Sequence, residues 1–267
     1  MEHLLINRPM ITAHSGCEGT AENTIASIGV ALESGVDAIE LDVRTSADGL
    51  PVLAHDPYLL DSNGDRVIIA DHDRKTIVSR TEDAYNTPAL LEDVLALVQR
   101  SRVILNLDLK DTGSVSVLYG SIIDHGLDDR TVFSGCHEEW ARHVRQLVPD
   151  ARVLLNAPHL EKFSSAADPS DQTDYARAAQ ELCAVAVEIG CCGINVNHEH
   201  CRPYLVTRAT QQFLPVSVWT VDREGDMRRV LDMGVYAVTT RFPRRLWNML
   251  QTIPAPLSTD RARAIDS

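Results

Sequence analysis

Ala38-Ile-Glu-Leu-Asp-Val43 carries two acids at alternate positions of an otherwise apolar run. Successive side chains of an extended strand point to opposite faces, so Glu40 and Asp42 share one face while Ile39, Leu41 and Val43 share the other. Val103-Ile-Leu-Asn-Leu-Asp-Leu-Lys110 repeats the pattern: Leu105, Leu107 and Leu109 fall on one side, and Ile104, Asn106, Asp108 and Lys110 on the other. The leucine side suits a layer of helices. The acidic side needs a proton or a cation, because carboxylates placed side by side repel.

Working outward, short runs of this kind alternate with longer amphipathic stretches almost to the end of the chain. The spacing predicts strands at Met10–Ala13, Ala38–Val43, Val103–Leu109, Thr131–Ser134, Arg152–Asn156, Gly193–Val196, Val216–Val221 and Tyr236–Thr240. Helical patterns follow at Glu22–Ser34, Leu90–Gln99, Val115–His125, Glu138–Leu147, Asp174–Ile189, Tyr204–Gln212, Glu224–Met233 and Arg244–Leu250. Strands alternating with helices pair in parallel, and eight such units predict closure into a TIM-type (β/α)8 barrel of the α/β class. An open doubly wound sheet is the alternative. One barrel is expected over residues 1–252, with residues 56–88 as a small insertion at its mouth, where Asp61-Ser-Asn-Gly-Asp65 and Asp71-His-Asp-Arg-Lys75 suit turns. Residues 253–267 lack an apolar face and read as a solvated tail.

Composition narrows the function. Of 267 residues 44% are hydrophobic and 24% charged, as in a soluble globular protein. Against 38 Asp and Glu stand 25 Lys and Arg, a formal charge of −13. Such a surface repels nucleic acid and anionic membranes, so an anionic substrate needs a local cation or a bound metal. The apolar run Leu4–Ile6 is too short for a signal peptide, and no stretch nears the ~20 apolar residues of a membrane span. Cys17, Cys136, Cys183, Cys191, Cys192 and Cys201 lack CxxC spacing, so reduced thiols in a cytoplasmic protein are expected. Cys191-Cys192 and His198-Glu-His-Cys201 match no zinc spacing and read as buried thiols and a loop. Oligomeric state is left open, a homo-oligomer included.

In a barrel of this kind the reacting groups lie at the C-terminal ends of the strands. Glu40 and Asp42, with Asp108 as a third carboxylate, suit one divalent cation, Mg²⁺ or Ca²⁺. Lys110, near its strand end, can neutralise a phosphoryl oxygen. His14 follows the first strand and His55 closes Leu50-Pro-Val-Leu-Ala-His-Asp56; a histidine pair flanking one phosphorus can serve as general acid and general base.

His14-Ser-Gly16, Ala21-Glu-Asn-Thr24, Gly35-Val-Asp-Ala-Ile-Glu-Leu-Asp-Val43, Asp48-Gly49 and Leu53-Ala-His-Asp56 together resemble the glycerophosphodiester phosphodiesterases. The resemblance continues through Pro88-Ala-Leu-Leu-Glu-Asp-Val94, Leu107-Asp-Leu-Lys110, Val132-Phe-Ser134, Val218-Trp-Thr-Val-Asp222 and Gly234-Val-Tyr-Ala-Val-Thr239. It implies a TIM-type barrel that splits a glycerophosphodiester into glycerol 3-phosphate and an alcohol, with a divalent metal, Mn²⁺ being a third option. By position it implies Glu40, Asp42 and Asp108 as ligands, His14 and His55 as the acid–base pair, Lys110 at the phosphate and Trp219 beside the glycerol or leaving group. Its mechanism has the substrate's neighbouring hydroxyl attack phosphorus to give a cyclic phosphate that water opens.

The chain departs from the family at three places. Ser15 stands where the family has an arginine on the phosphate; Asp108 replaces a glutamate; and Thr239-Thr-Arg-Phe-Pro243 lacks the usual acid and offers Arg241 instead. Ser15 is therefore expected either to weaken the phosphate site or to make room for a substrate whose cationic partner is Arg241. Cleavage of another phosphodiester, of a sugar-phosphate or lysophospholipid type with cyclic phosphate as product, is the second reading. A non-catalytic barrel that binds a phosphorylated metabolite is the third.

Overall fold

The computed structural model describes residues 8–82, 87–163 and 169–252, with side chains from residue 172 onward in the last stretch. In chain order the strands are β1 (Met10–Ala13), β2 (Ala38–Thr45), β3 (Pro51–Leu53), β4 (Tyr58–Leu60), β5 (Arg66–Ile68), β6 (Ile104–Leu109), β7 (Thr131–Cys136), β8 (Val153–Asn156), β9 (Gly193–Asn197), β10 (Val216–Trp219) and β11 (Ala237–Thr240). The helices are α1 (Ile25–Glu33), α2 (Arg74–Thr81), α3 (Leu91–Gln99), α4 (Val115–Asp124), α5 (Glu138–Leu147), α6 (Pro169–Ile189), α7 (Pro203–Thr210), α8 (Glu224–Asp232) and α9 (Pro243–Thr252).

Eight parallel strands pair in the order β1, β2, β6, β7, β8, β9, β10, β11. The ring shuts because β1 pairs with both β2 and β11, Thr12 facing Ala38 and Met10 facing Ala237. Closure excludes the open sheet and makes the fold the TIM-type barrel. Between β2 and β6 the register sets Glu40 opposite Asn106 and Asp42 opposite Asp108, so the two acidic runs are neighbours. Their apolar faces behave as the two-residue period requires: Ile39, Leu41, Val43, Leu105, Leu107 and Leu109 are all buried and join Val94 and Leu95 of α3 and Leu118 of α4 in one core. Each such side chain contributes about 1.5–3 kcal/mol by leaving water.

The structure corrects several boundaries. β2 runs two residues past Val43 because β3 folds back along it, Val43 facing Leu53 and Thr45 facing Pro51. Helix α1 begins at Ile25, not Glu22: Asn23 sits at φ 58, and the Thr24 hydroxyl caps the helix by accepting the Ser27 N–H. Helix α6 begins at Pro169, ahead of the expected Asp174.

The insertion is more ordered than turns alone. β4 and β5 form a hairpin whose Asp61 carboxylate accepts the N–H groups of Asn63 and Asp65. The Asp71–Lys75 stretch, expected as a turn, holds the start of α2, with Asp73 accepting the Thr76 N–H. These elements gather a separate small core of Val52, Ala54, Leu59, Val67, Ile69 and Ile77. The expected tail 253–267 lies outside the described residues. No helix among them is long and apolar enough to cross a membrane.

Candidate active site

At the C-terminal ends of the barrel strands a cavity of about 370 Å³ is lined by His14, Glu40, Asp42, His55, Asp108, Lys110, Trp219 and Arg241, among others. Eight of the nine expected site residues thus meet in one place, from β2, β6 and β10 and the loops after β1, β3, β6 and β11. Larger clefts of about 590 and 710 Å³ open elsewhere on the molecule and hold neither the acids nor this histidine pair.

The acids are held at close quarters. One oxygen from each of Glu40, Asp42 and Asp108 lies within 4.8 Å of the others, and this is the one such group of metal-ligating side chains among the described residues. Glu40 is 6% and Asp42 1% exposed. Burial, aided by the charges of Asp42 and Asp108, raises the Glu40 carboxyl well above its ordinary range. The Lys110 ammonium sits 2.9 Å from Asp42 Oδ1 and 2.5 Å from Asp108 Oδ2. Burial pulls its pKa down, but Asp108 and Asp42 outweigh burial and carry it above the usual lysine value. Three carboxylates against one ammonium leave two negative charges, which a hard divalent cation matches in both charge and donor type. The donor set therefore fits Mg²⁺, Ca²⁺ or Mn²⁺.

Each acid is braced. Ser134 Oγ donates to Asp108 Oδ1 at 3.0 Å, and the Ser15 N–H donates to Glu40 Oε2 at 3.1 Å. Asn23 holds Asp42 from two sides: its Nδ2 donates to Asp42 Oδ2, and its Oδ1 accepts the Asp42 N–H, both at 3.0 Å. Gly135 follows Ser134 at φ 74; a Cβ there would stand 2.4 Å from the Leu109 carbonyl oxygen and 2.8 Å from Asp108 Oδ1. Only glycine admits that approach.

The two histidines differ. His14 Nδ1 is 2.5 Å from the Ser15 carbonyl oxygen, which can only accept, so Nδ1 carries the proton and Nε2 is left free to accept one. Burial lowers the His14 pKa, with the Arg241 charge adding to it. His55 is half-exposed, its Nδ1 2.9 Å from Asp56 Oδ1. That hydrogen bond lowers the Asp56 pKa. The Arg44 guanidinium clamps the His55 carbonyl at 2.6 and 2.9 Å, tying the loop to β2.

Ser15 is the expected contact that does not line the cavity. It is 1% exposed, and its hydroxyl accepts the Asn23 N–H at 2.5 Å. A short side chain at this tight turn satisfies a neighbouring backbone group, so Ser15 supports the acids through Asn23 and Glu40. Arg241 does reach the cavity, but Asp222 accepts both from its Nη1, at 3.1 Å, and from its backbone N–H, at 2.9 Å. Sequence reasoning gave no role to Asn23, Ser134, Gly135 or Asn156. Ser134 and Asn156 were findable as polar residues at strand ends; Gly135 acts through backbone geometry, and Asn23 acts through a side chain on a turn, where no period tells which way it points.

Residues 12–245 match the model of the glycerophosphoryl diester phosphodiesterase family. The chain is 28% identical over 250 residues to a glycerophosphodiester phosphodiesterase of Bacillus altitudinis, covering 88% of this chain and 95% of that one. It is 24% identical over 260 residues to the enzyme of that name from Caldanaerobacter subterraneus, covering 91% and 98%. Among solved structures, an Oleispira antarctica phosphodiesterase in complex with the product sn-glycerol-3-phosphate superposes with a TM-score of 0.72 at 21% identity, over 92% of this chain and 98% of that one. With the fold, the acidic triad and a match across nearly the whole barrel in agreement, the chain belongs to the glycerophosphoryl diester phosphodiesterase family.

Proposed function

We propose that the chain hydrolyses glycerophosphodiesters to glycerol 3-phosphate and an alcohol, with one divalent cation held by Glu40, Asp42 and Asp108 and with His14 and His55 as the proton-transfer pair. The observation that carries this reading is that the triad, Lys110 and both histidines line one cavity at the reactive end of the barrel. The product named for the Oleispira antarctica relative is consistent with it.

The metal, when bound, supplies positive charge that offsets the triad and polarises a phosphoryl oxygen. The remaining work falls to the chain's own side chains. Lys110 and Arg241 place positive charge beside the non-bridging oxygens. His14 Nε2, unprotonated at neutral pH, removes the proton of the glycerol hydroxyl next to the ester, and that oxygen bonds to phosphorus. As the bond from phosphorus to the leaving oxygen breaks, His55 delivers its proton to that oxygen, its Nδ1–H held by Asp56. Water then adds to the cyclic phosphate: His55 takes the water's proton, and His14 returns its own to the ring oxygen as the ring opens. Trp219 lines the organic side of the cavity.

A second reading, release of the cyclic phosphate itself, draws on Ser15: no arginine fork grips the phosphate from that loop, and Arg241 is already paired with Asp222. One experiment tests both. Turnover of glycerophosphodiesters is measured with Mg²⁺, Ca²⁺ or Mn²⁺ and with chelator, products being followed by phosphorus NMR. Metal-dependent formation of glycerol 3-phosphate, lost in Asp42→Asn with the circular dichroism unchanged, is expected. Full activity in chelator would overturn the metal site, and cyclic phosphate as the final product would establish the second reading.

A further inference from the structure

The cavity holds a cation that the triad does not use. Lys110 is spent between Asp42 and Asp108, whereas Arg241, one residue past β11, lines the same cavity with its side chain 43% exposed. Its backbone is stitched to the loop after β1: the Glu18 N–H donates to the Arg241 carbonyl oxygen at 2.8 Å, and the His14 N–H to that of Thr240 at 2.9 Å. Arg241 therefore stands next to the loop that carries Ser15 in place of the family's arginine.

Asp222, in the loop after β10, divides its carboxylate between two tasks. Oδ1 accepts the Arg241 N–H at 2.9 Å and the Thr240 hydroxyl at 3.3 Å, which ties the end of β11 to this loop. Oδ2 accepts from Arg241 Nη1 at 3.1 Å, which fixes the guanidinium itself. Arg245 secures the Asp222 backbone in turn, its Nη1 donating to the Asp222 carbonyl oxygen at 2.7 Å. Nε and Nη2 of Arg241 make no hydrogen bond among the described residues. A second carboxylate, that of Glu22, stands 4.0 Å from Nη2 and outside the lining.

We infer that Asp222 is a positioning residue: it holds the Arg241 guanidinium at the cavity with the Nε and Nη2 edge free for a non-bridging phosphate oxygen. This rests on the proposed hydrolysis and deepens it. Two effects of Asp222 oppose each other, since it lowers the net charge that a phosphate meets and also orders a long side chain before the ligand arrives. The first is weak, because the pair is partly exposed and water screens it. The second is the larger: an arginine ordered beforehand loses less rotamer freedom for each hydrogen bond it forms. Without Asp222 the guanidinium is also drawn toward Glu22, out of the lining.

The test is a double-mutant cycle read by calorimetric titration of the metal-saturated protein with sn-glycerol 3-phosphate, alongside turnover of a glycerophosphodiester. Asp222→Asn is the informative variant, because the amide oxygen still accepts the Arg241 N–H while the amide nitrogen only donates and so releases Nη1. It is expected to weaken binding by about 3- to 10-fold, and Arg241→Ala by about 10-fold or more. In the Arg241→Ala background Asp222→Asn should change the affinity by less than about 2-fold, because it acts through that arginine. Unchanged or tighter binding by Asp222→Asn overturns the inference, and so does an equal loss with and without Arg241; the hydrolysis stands in either case. Should Asp222→Asn fail to fold, Arg241→Lys leaves Asp222 and its backbone bonds in place. An ammonium cannot hold Asp222 and fork to a phosphate at once, so a loss of about 10-fold is expected, and unchanged affinity overturns the inference. A wild-type protein that neither binds glycerol 3-phosphate nor turns over the diester overturns the hydrolysis itself, and the inference with it.

Discussion

His14 lies between its own loop and the acids of β2, and burial holds its pKa below the ordinary histidine value. Because burial lowers its pKa, the proposed base is lost only when the pH falls below the ordinary histidine value of about 6.5. The acid limb of the kcat/KM profile is therefore expected to have its midpoint below that value, and His14→Ala to cost about 10²- to 10⁴-fold in rate. A profile from pH 5 to 8 checks this; a midpoint at or above about 7 would hand the role of base to another group. At this scale the sequence was informative about which residues matter and silent about where they point. Glu40, Asp42 and Asp108 were legible because a strand's period fixes the face each presents. Ser15 was not, because a turn has no period: its rotamer answers to the Asn23 N–H, a local hydrogen bond that a family comparison at one position cannot reveal. For the same reason Asn23, quoted only as part of a motif, turns out to hold Asp42 from two sides.

Among the elements, β7 shows how backbone shape sets the chemistry. Its pairing with β8 shifts register between Phe133 and Cys136, and Gly135 within that irregularity lies against the Leu109 carbonyl and the Asp108 carboxylate. Gly135→Ala has two consequences. A left-handed backbone costs a non-glycine residue about 1–2 kcal/mol. The new methyl must also displace Asp108 or the end of β6. The expected outcome is a lowered denaturation midpoint together with Mn²⁺ affinity reduced by about 10-fold or more, the range seen when the support of a metal ligand is disturbed. Calorimetric titration checks the second part; unchanged affinity would show that Asp108 does not depend on this approach. The eight barrel strands were readable because each is an apolar run bounded by turns. Strand β3 and helix α2 were not: β3 has three residues, and Arg74–Thr81 offers only Ile77 and Val78 as apolar side chains, too few to mark a face. They are held by the small core they share with the hairpin rather than by any pattern of their own.

For the whole molecule the triad is a standing electrostatic cost. Glu40 titrates higher in the folded chain than in the unfolded one, so the folded state holds the extra proton; its contribution to stability is present below the ordinary glutamate pKa and is lost as pH rises through the folded value. A divalent cation removes that cost. At a hundred times its dissociation constant a ligand specific to the folded state adds about 2.7 kcal/mol. At about 2–4 °C per kcal/mol for a domain of this size, Tm should rise by roughly 5–10 °C. Differential scanning fluorimetry with Mg²⁺, Ca²⁺ or Mn²⁺ at neutral pH checks this, and Asp42→Asn should abolish the rise; an equal rise in that variant would place the ion elsewhere. The second small core has a consequence of another kind. His14 and the acids belong to the barrel, whereas His55 follows directly on Ala54 of the small core and is tied back to β2 through Arg44. The cavity thus draws on two cores: the barrel carries His14 and the acids, and the small core sets the position of His55, the proposed proton donor. Exchange or lengthening of the hairpin can then re-aim that proposed donor toward a new leaving group while the barrel stays intact, which gives the scaffold a direct route to diversify.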